Sequence, residues 1–417
     1  MPVLATLLSI FVLASPSFTQ SRTLDMSWPQ WGGPDRDFSV DSGPLAPRWP
    51  ADGPPVVWRR ALGEGHSAIV GDTRRLFTMY RKADREFVIS LDSATGKTVW
   101  EFGYEPLPYE RLDGSYGKGP HSTPLLEGGR VYAVGTTGRL LCLDRQRGTL
   151  VWSHELWRDF GGSFIVNGYA SSPIAFKDTV IVQVGGSGRS LMAFDAATGA
   201  IRWQAHGFRN SQSSPILIDM GGVRQLVAFM HNEIVGVDPA SGALLWRHPV
   251  KATMSFHFNI ATPISGDGGL LFAAAAYGVG GRMLHLTTRD GRTEVKELWQ
   301  SERTRIHHEN AIRIGDVIYA STGHLGPAFL TAFSVRDGRV LWQDRGFSHA
   351  MLLLADGKLI IADEDGTLGL ATATPKGLTV HSRADVLRGP AWTAPTLISG
   401  ILYVRDRQTI AALRALR

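Results

Sequence analysis

Apolar residues in this chain cluster in short runs whose side chains alternate, such as Arg130-Val-Tyr-Ala-Val-Gly135 and Asp316-Val-Ile-Tyr-Ala320. A period of two over a handful of residues predicts strands, and nowhere is a helical period sustained between capping signals. The runs return in a fixed order. Five of them end in a hairpin closed by tryptophan: LDSATGKTVW (Leu91 to Trp100), LDRQRGTLVW (Leu143 to Trp152), FDAATGAIRW (Phe194 to Trp203), VDPASGALLW (Val237 to Trp246) and FSVRDGRVLW (Phe333 to Trp342). Glycine stands four before each tryptophan. Asp92, Asp144, Asp195 and Asp238 stand four before their glycines, and Ser334 takes that place in the fifth copy. Such an Asp can accept hydrogen bonds from amides two residues on, while Gly adopts the left-handed backbone that closes a short bulged hairpin.

Each hairpin is preceded by another apolar run, introduced by a corner of small residues and proline, as at Ser122-Thr-Pro124, Ser171-Ser-Pro173, Ser213-Ser-Pro215, Ala261-Thr-Pro263 and Thr393-Ala-Pro395. Every unit therefore reads as four short strands. Successive tryptophans, from Trp58 through Trp100, Trp152, Trp203, Trp246 and Trp299 to Trp342, are 42 to 53 residues apart, the length of a β-propeller blade. The corners give eight units, starting near His66, His121, Ala170, Gln212, Ile260, His308, His349 and Trp392. The eighth lacks an outer strand, which Pro55-Val-Val-Trp58-Arg59 supplies from the other end of the chain. The expected fold is all-β: an eight-bladed propeller over residues 51–417, closed by an N-terminal strand in its last blade, with residues 21–50 as an irregular Pro/Gly-rich strap.

Residues 1–20 carry no charge, and the apolar stretch from Val3 to Ala14 is followed by Ser15, Pro16 and Ser17. This resembles a signal peptide and is too short for a bilayer, which needs about 20 residues. A periplasmic or secreted location is expected, with no transmembrane anchor and, for want of a cysteine at the junction, no lipoprotein anchor. The 417 residues include 43 basic and 38 acidic side chains, a net charge of +5, without a run of five Lys or Arg. Nucleic acid is accordingly not an expected partner. Cys142 is the single cysteine, so no intrachain disulfide and no multi-cysteine zinc site can form, and its apolar setting predicts a buried, inert thiol.

The Asp-x-x-Thr-Gly-x-x-x-Trp repeat resembles the pyrroloquinoline-quinone (PQQ) type repeat, found in quinoprotein alcohol dehydrogenases and in the barrel-assembly lipoprotein of the BamB type. Trp28-Pro-Gln-Trp31-Gly-Gly-Pro34 is also similar to a Trp-x-x-Trp-x-Gly-Pro signature of exported PQQ-repeat proteins, with Gly32 where Arg is expected. The resemblance implies that Trp58, Trp100, Trp152, Trp203, Trp246 and Trp342 dock between neighbouring blades instead of forming a ligand platform. It also raises PQQ with calcium as a cofactor. Against that stand the missing adjacent cysteine pair and the lack of a clear Glu, Asn and Asp set for the calcium.

Candidate chemistry comes from the blade entrances, where equivalent residues of a propeller converge on the axis. Four of the eight entrance residues are histidines, and His308, His349, Trp392, His66 and His121 form an arc over contiguous blades. Tyr169, Gln212, Asn259, Arg305, Glu309 and Asn310 stand at or near entrances and complete a candidate ligand-binding funnel. Neutral imidazoles can hold a divalent metal or move protons, which makes His66, His121, His308 and His349 candidate metal ligands and His308 and His349 candidate catalytic groups. The plainer reading is that each histidine satisfies backbone groups at its entrance. Arg303, Arg305 and Arg388 would give an anionic ligand a positive rim, or are solvated loop charges. The glycine runs at 185–188 and 278–281 lack the ending of a phosphate loop and read as hairpins, and Asp363-Glu364-Asp365-Gly366 reads as a solvated turn. Three functions follow: an exported propeller binding a small molecule, a saccharide or a protein partner at its funnel; a metal-dependent lyase or hydrolase acting on a saccharide; and a quinoprotein oxidoreductase.

Overall fold

Local hydrogen bonding explains why the tryptophan hairpins fold. In the computed structural model, which describes residues 27–109, 112–163, 166–254, 258–324 and 326–416, Asp92 Oδ1 accepts from the Thr95 amide (2.9 Å) and hydroxyl (2.6 Å), and the Gly96 N–H donates to the Asp92 carbonyl (2.8 Å). Asp144, Asp195 and Asp238 accept from amides in the same way. Ser334 serves with its hydroxyl, which accepts from the Arg336 amide at 3.1 Å. The segment expected to be a signal peptide lies outside the described residues.

These hairpins build eight antiparallel sheets arranged as an eight-bladed propeller. Blade 2 shows the pattern, inner to outer: Leu125–Glu127, Arg130–Val134, Arg139–Asp144 and Leu150–Glu155. One five-residue α-helix, Leu156–Phe160, follows it, the sole α-helix among the described residues. Blade 8 joins the two ends of the chain, because Val56–Ala61 pairs antiparallel with Thr409–Arg414. Arg405, fully buried on blade 8, clamps that blade to blade 1. Its guanidinium donates to the carbonyls of Gly65, Ser67 and Met79 and to the Thr78 hydroxyl, each at 2.9 Å.

The outer strands are joined by a recurring tryptophan lock. The indole N–H of Trp58, Trp100, Trp152 and Trp203 donates to the carbonyl following the hairpin Asp of the next blade, at Ser93, Arg145, Ala196 and Pro239 (2.8 to 3.1 Å). Trp299 and Trp342 reach Val335 and Thr374 in the same manner. Trp246 differs. Blade 5 turns through a tight Asp290-Gly291 hairpin that offers no equivalent carbonyl, so the Trp246 N–H donates within its own blade to Gln225 (2.6 Å), and Gln225 donates onward to Thr293 of blade 5 (2.8 Å).

The strap is more ordered than its composition suggests, and it runs through the axis of the ring. Ser27–Trp28 adds an antiparallel strand to the inner edge of blade 1, and Ser39–Val40 adds a parallel one to blade 7. Between them the Leu126 amide of blade 2 donates to Pro29, Trp31 donates to Thr262 of blade 5 (2.8 Å), and the buried Arg36 donates to the Ser172 and Pro173 carbonyls of blade 3. This segment plugs one end of the central channel.

Gly148 is held at φ 71°, and a Cβ there would lie 2.5 Å from the Trp100 ring. Gly188 has a similar φ of 69° with nothing within 4 Å. Gly188→Ala should therefore cost only the backbone strain, about 1–2 kcal/mol, whereas Gly148→Ala adds a clash with the lock and should cost about 2–4 kcal/mol. Urea unfolding of both variants checks this, and equal losses would refute the packing role.

Candidate functional site

Above the plug the channel opens as a cavity of about 320 Å³. All eight entrance residues, His66, His121, Ala170, Gln212, Ile260, His308, His349 and Trp392, line it, and two residues further along their strands Ser172, Ser214, Thr262 and Met351 form a lower tier. Trp31 from the strap closes the bottom, held by its hydrogen bond to Thr262 and packed edge-on against Phe38 at 5.1 Å. Tyr116, Asn167, Tyr277, His307, His324 and Glu364 complete the lining.

The cavity has two unlike halves. Blades 3 to 5 contribute Ala170, Gln212 and Ile260 over hydroxyl groups. Blades 7, 6, 8, 1 and 2 contribute, in order of contact, five rings with centroids 5.1 to 5.6 Å apart, His349, His308, Trp392, His66 and His121, so that His308 and not His349 meets Trp392. The outer pairs are nearly parallel, at 9° for His308 and His349 and 8° for His66 and His121. Trp392 stands between two tilted imidazoles, His308 at 59° and His66 at 32°, and its N–H donates to Glu364 at 3.3 Å.

Burial sets the protonation of the arc. It pushes the His66 imidazole down to about 3, with His121 adding to the effect, and lowers His121 to about 4. His307 falls to about 3, and His308 is also lowered, again chiefly through burial. His349 behaves oppositely. Burial resists its charge, but the hydrogen bond and negative charge of Glu309 prevail and raise it to about 9. Glu309, whose burial favours the neutral acid, is held down to about 2 by the imidazoles of His308 and His349. In the resulting buried ion pair, His349 Nδ1 donates to Glu309 and Nε2 donates to the Gly326 carbonyl (2.9 Å), while the second Glu309 oxygen accepts from the His307 and His308 amides (3.0 and 3.1 Å).

Several residues expected in the funnel stand elsewhere. Glu309 lies beneath the surface as the partner of His349. Asn310 staples blades 6 and 7 through both the N–H and the carbonyl of Leu352 (2.8 Å each). Asn259 donates to the Met230 and His231 carbonyls, and Tyr169 donates to Val184 between blades. Arg305 donates to the Glu302 carbonyl, and neither it nor Arg303 nor Arg388 is among the described residues that line the cavity. His307, next to His308 in sequence and close to an entrance, does line the cavity, whereas Trp31, Tyr116, Tyr277, His324 and Glu364 were not expected there; Glu364 was hidden in an acidic turn.

A ring of PQQ-type blades around a funnel with one closed end is the class that fold and site define. The chain belongs to the family described as outer membrane protein assembly factor BamB, whose profile matches residues 84–344. It is 23% identical over 308 residues to the BamB of Yersinia pestis, covering 69% of this chain and 72% of that one. It is 30% identical over 146 residues to the quinohemoprotein alcohol dehydrogenase of Comamonas testosteroni, covering 33% of this chain but only 19% of that enzyme. Among solved structures, BamB from Moraxella catarrhalis superposes with a TM-score of 0.61 at 18% identity, over 86% of this chain and 97% of that one. The Comamonas testosteroni enzyme gives 0.65 at 14% identity, over 94% and 81%. Identities this low establish a shared fold.

The lining does not fit a PQQ cofactor. That quinone carries three carboxylates, which call for cationic partners, and no Lys or Arg is among the described lining residues. Glu364 is the one carboxylate among the described lining residues, and Cys142 is fully buried in blade 2 with its thiol raised to about 11 by burial and has no second cysteine to pair with.

An unfolded histidine titrates near 6.5, so below that pH the unfolded chain takes up protons that folded His66 and His121 refuse. Stability is then full above about pH 6.5 and falls as the pH drops toward the folded values of about 4 for His121 and about 3 for His66. A His66→Gln, His121→Gln double variant should lose less stability than the native protein between pH 7 and pH 5, measured as the shift in urea midpoint. An unchanged shift would show that these imidazoles do not govern the acid response.

Proposed function

We propose that the protein is an exported binding propeller that takes a small molecule into its blind axial funnel. The observation carrying this reading is the pocket itself: a cavity of about 320 Å³ floored by Trp31 and lined by the entrance residues of all eight blades. The plug favours a small molecule over a protein segment threaded along the axis. Native mass spectrometry of protein exported by its bacterial host should reveal a bound small molecule in near-stoichiometric amount. That molecule should be absent from Gln212→Trp, which sets an indole across the cavity. Recovery of none from the native protein, or of equal amounts from a folded Gln212→Trp, counts against the reading.

One observation favours a second reading, a divalent-metal site serving chemistry on a substrate: donor atoms of His308, Glu309 and His349 lie within 4.8 Å of one another. An ion there would polarise a substrate oxygen or acidify a bound water. The site would first have to displace the proton shared by His349 and Glu309. Elemental analysis decides: one equivalent of metal, lost in His308→Ala with His349→Ala, supports this reading, and a metal-free native protein removes it.

A further inference from the structure

We propose a second ligand site outside the funnel: a pocket between blades 8 and 1 that binds a small phosphorylated molecule. In blade 1 the strands Arg75–Lys82 and Arg85–Asp92 meet in a turn between Lys82 and Arg85, at the end away from the tryptophan hairpin and the plug. This mouth-side turn, residues 61–64 and the blade 8 turn at Gln408 and Thr409 line a cavity of about 490 Å³. Its frame is fixed by backbone hydrogen bonds: the Leu62 N–H donates to the Gln408 carbonyl (2.6 Å) and the Arg81 N–H to the Glu64 carbonyl (2.7 Å). The pocket flanks the funnel, because Glu64 stands two residues before His66 and Lys118 two after Tyr116, and both His66 and Tyr116 line the funnel.

Three cations line this cavity, Arg81, Lys82 and Lys118, against one carboxylate, Glu64. Glu64 already accepts from Arg407 at 3.4 Å. Arg81 donates through Nε to the Ala83 carbonyl (3.1 Å), but its terminal nitrogens stand 3.9 Å from Asp84 and from Glu86, beyond hydrogen-bond reach. Glu86 is itself engaged by the Tyr104 hydroxyl and the Thr136 amide. Lys82 and Lys118 make no hydrogen bond or ion pair among the described residues, and both are exposed, so a solute can reach them. The Lys118 stem packs over Gly114, where a Cβ would meet its Cγ at 3.1 Å. A single carboxylate would leave most of this charge unmatched, whereas a phosphate monoester carries about −1.5 to −2 at neutral pH. Its oxygens suit the paired donors of a guanidinium, with the two ammonium groups as point charges beside it.

Calorimetry at pH 7 and constant ionic strength, with inorganic pyrophosphate and acetate as probes, tests the proposal. Pyrophosphate should bind with a stoichiometry of about one and at least about tenfold more tightly than acetate. Lys82→Gln with Lys118→Gln, both exposed and so harmless to folding, should weaken pyrophosphate at least about tenfold. Lys97→Gln with Lys376→Gln removes the same charge from exposed hairpins at the plugged end and should weaken it less than about twofold. Acetate binding as tightly as pyrophosphate, no pyrophosphate binding, or equal losses in the two double variants overturns the site, the last by reducing it to diffuse attraction. Phosphatidylglycerol vesicles that capture the native protein while pyrophosphate fails assign the cations to a membrane surface and also overturn it. None of these four lysines lines the funnel, so the funnel reading stands or falls separately.

Discussion

Closure of the ring is the constraint on which everything else depends. A blade is a sheet of four strands that buries its faces only against its two neighbours, so an open circle would expose an entire face at each end. The chain meets this by building blade 8 from both termini and by sinking Arg405 between blades 8 and 1. Arg405 and Ser67, joined by a 2.9 Å hydrogen bond, are 338 positions apart in sequence. A buried guanidinium is tolerable only when its donors are matched, and here they meet a set of carbonyls at the entrance of blade 1. Because the ring closes there, Trp392 and His66 become ring neighbours, and the funnel wall is continuous.

Features fixed by neighbours in sequence were legible; those fixed by distant packing were not. The Asp or Ser, Gly and Trp of each hairpin lie within ten residues of one another, so periodicity revealed the hairpins, the family resemblance implied that the tryptophans dock on the adjoining blade, and aligning the corners located the entrance tier. Trp246 departs because blade 5 replaced its hairpin, a change in the acceptor and not in the tryptophan. Errors around His308 have one cause. Successive residues there point different ways, so that His308 meets the cavity, Glu309 lies between blades and Asn310 reaches Leu352. Glu364 was misread because an Asp-Glu-Asp-Gly string has the composition of a solvent-facing turn, and nothing local reveals that its blade aims one of the carboxylates inward. The strap was misread for a similar reason: its partners are the inner edges of blades that follow it in the chain.

The funnel also shows how one packing arrangement can set opposite charge states in like side chains. His308 and His349 stack at 5.5 Å, yet burial lowers one while Glu309 raises the other. The charge sits where a carboxylate and a carbonyl flank the ring, and the neighbouring imidazoles remain neutral.

The axial plug has a consequence for how the molecule assembles. Residues 27–40 precede every blade in the chain, but their contacts are to blades 1, 2, 3, 5 and 7, and the strand Val56–Ala61 has no partner until Thr409–Arg414 exists. The earliest part of the polypeptide thus stays unsatisfied until nearly the last, and the closing steps join segments of very large sequence separation, which makes them slow. Until then an apolar strand edge and two tryptophans wait in the open, so the interval between synthesis and closure is when this protein is most exposed to aggregation and proteolysis.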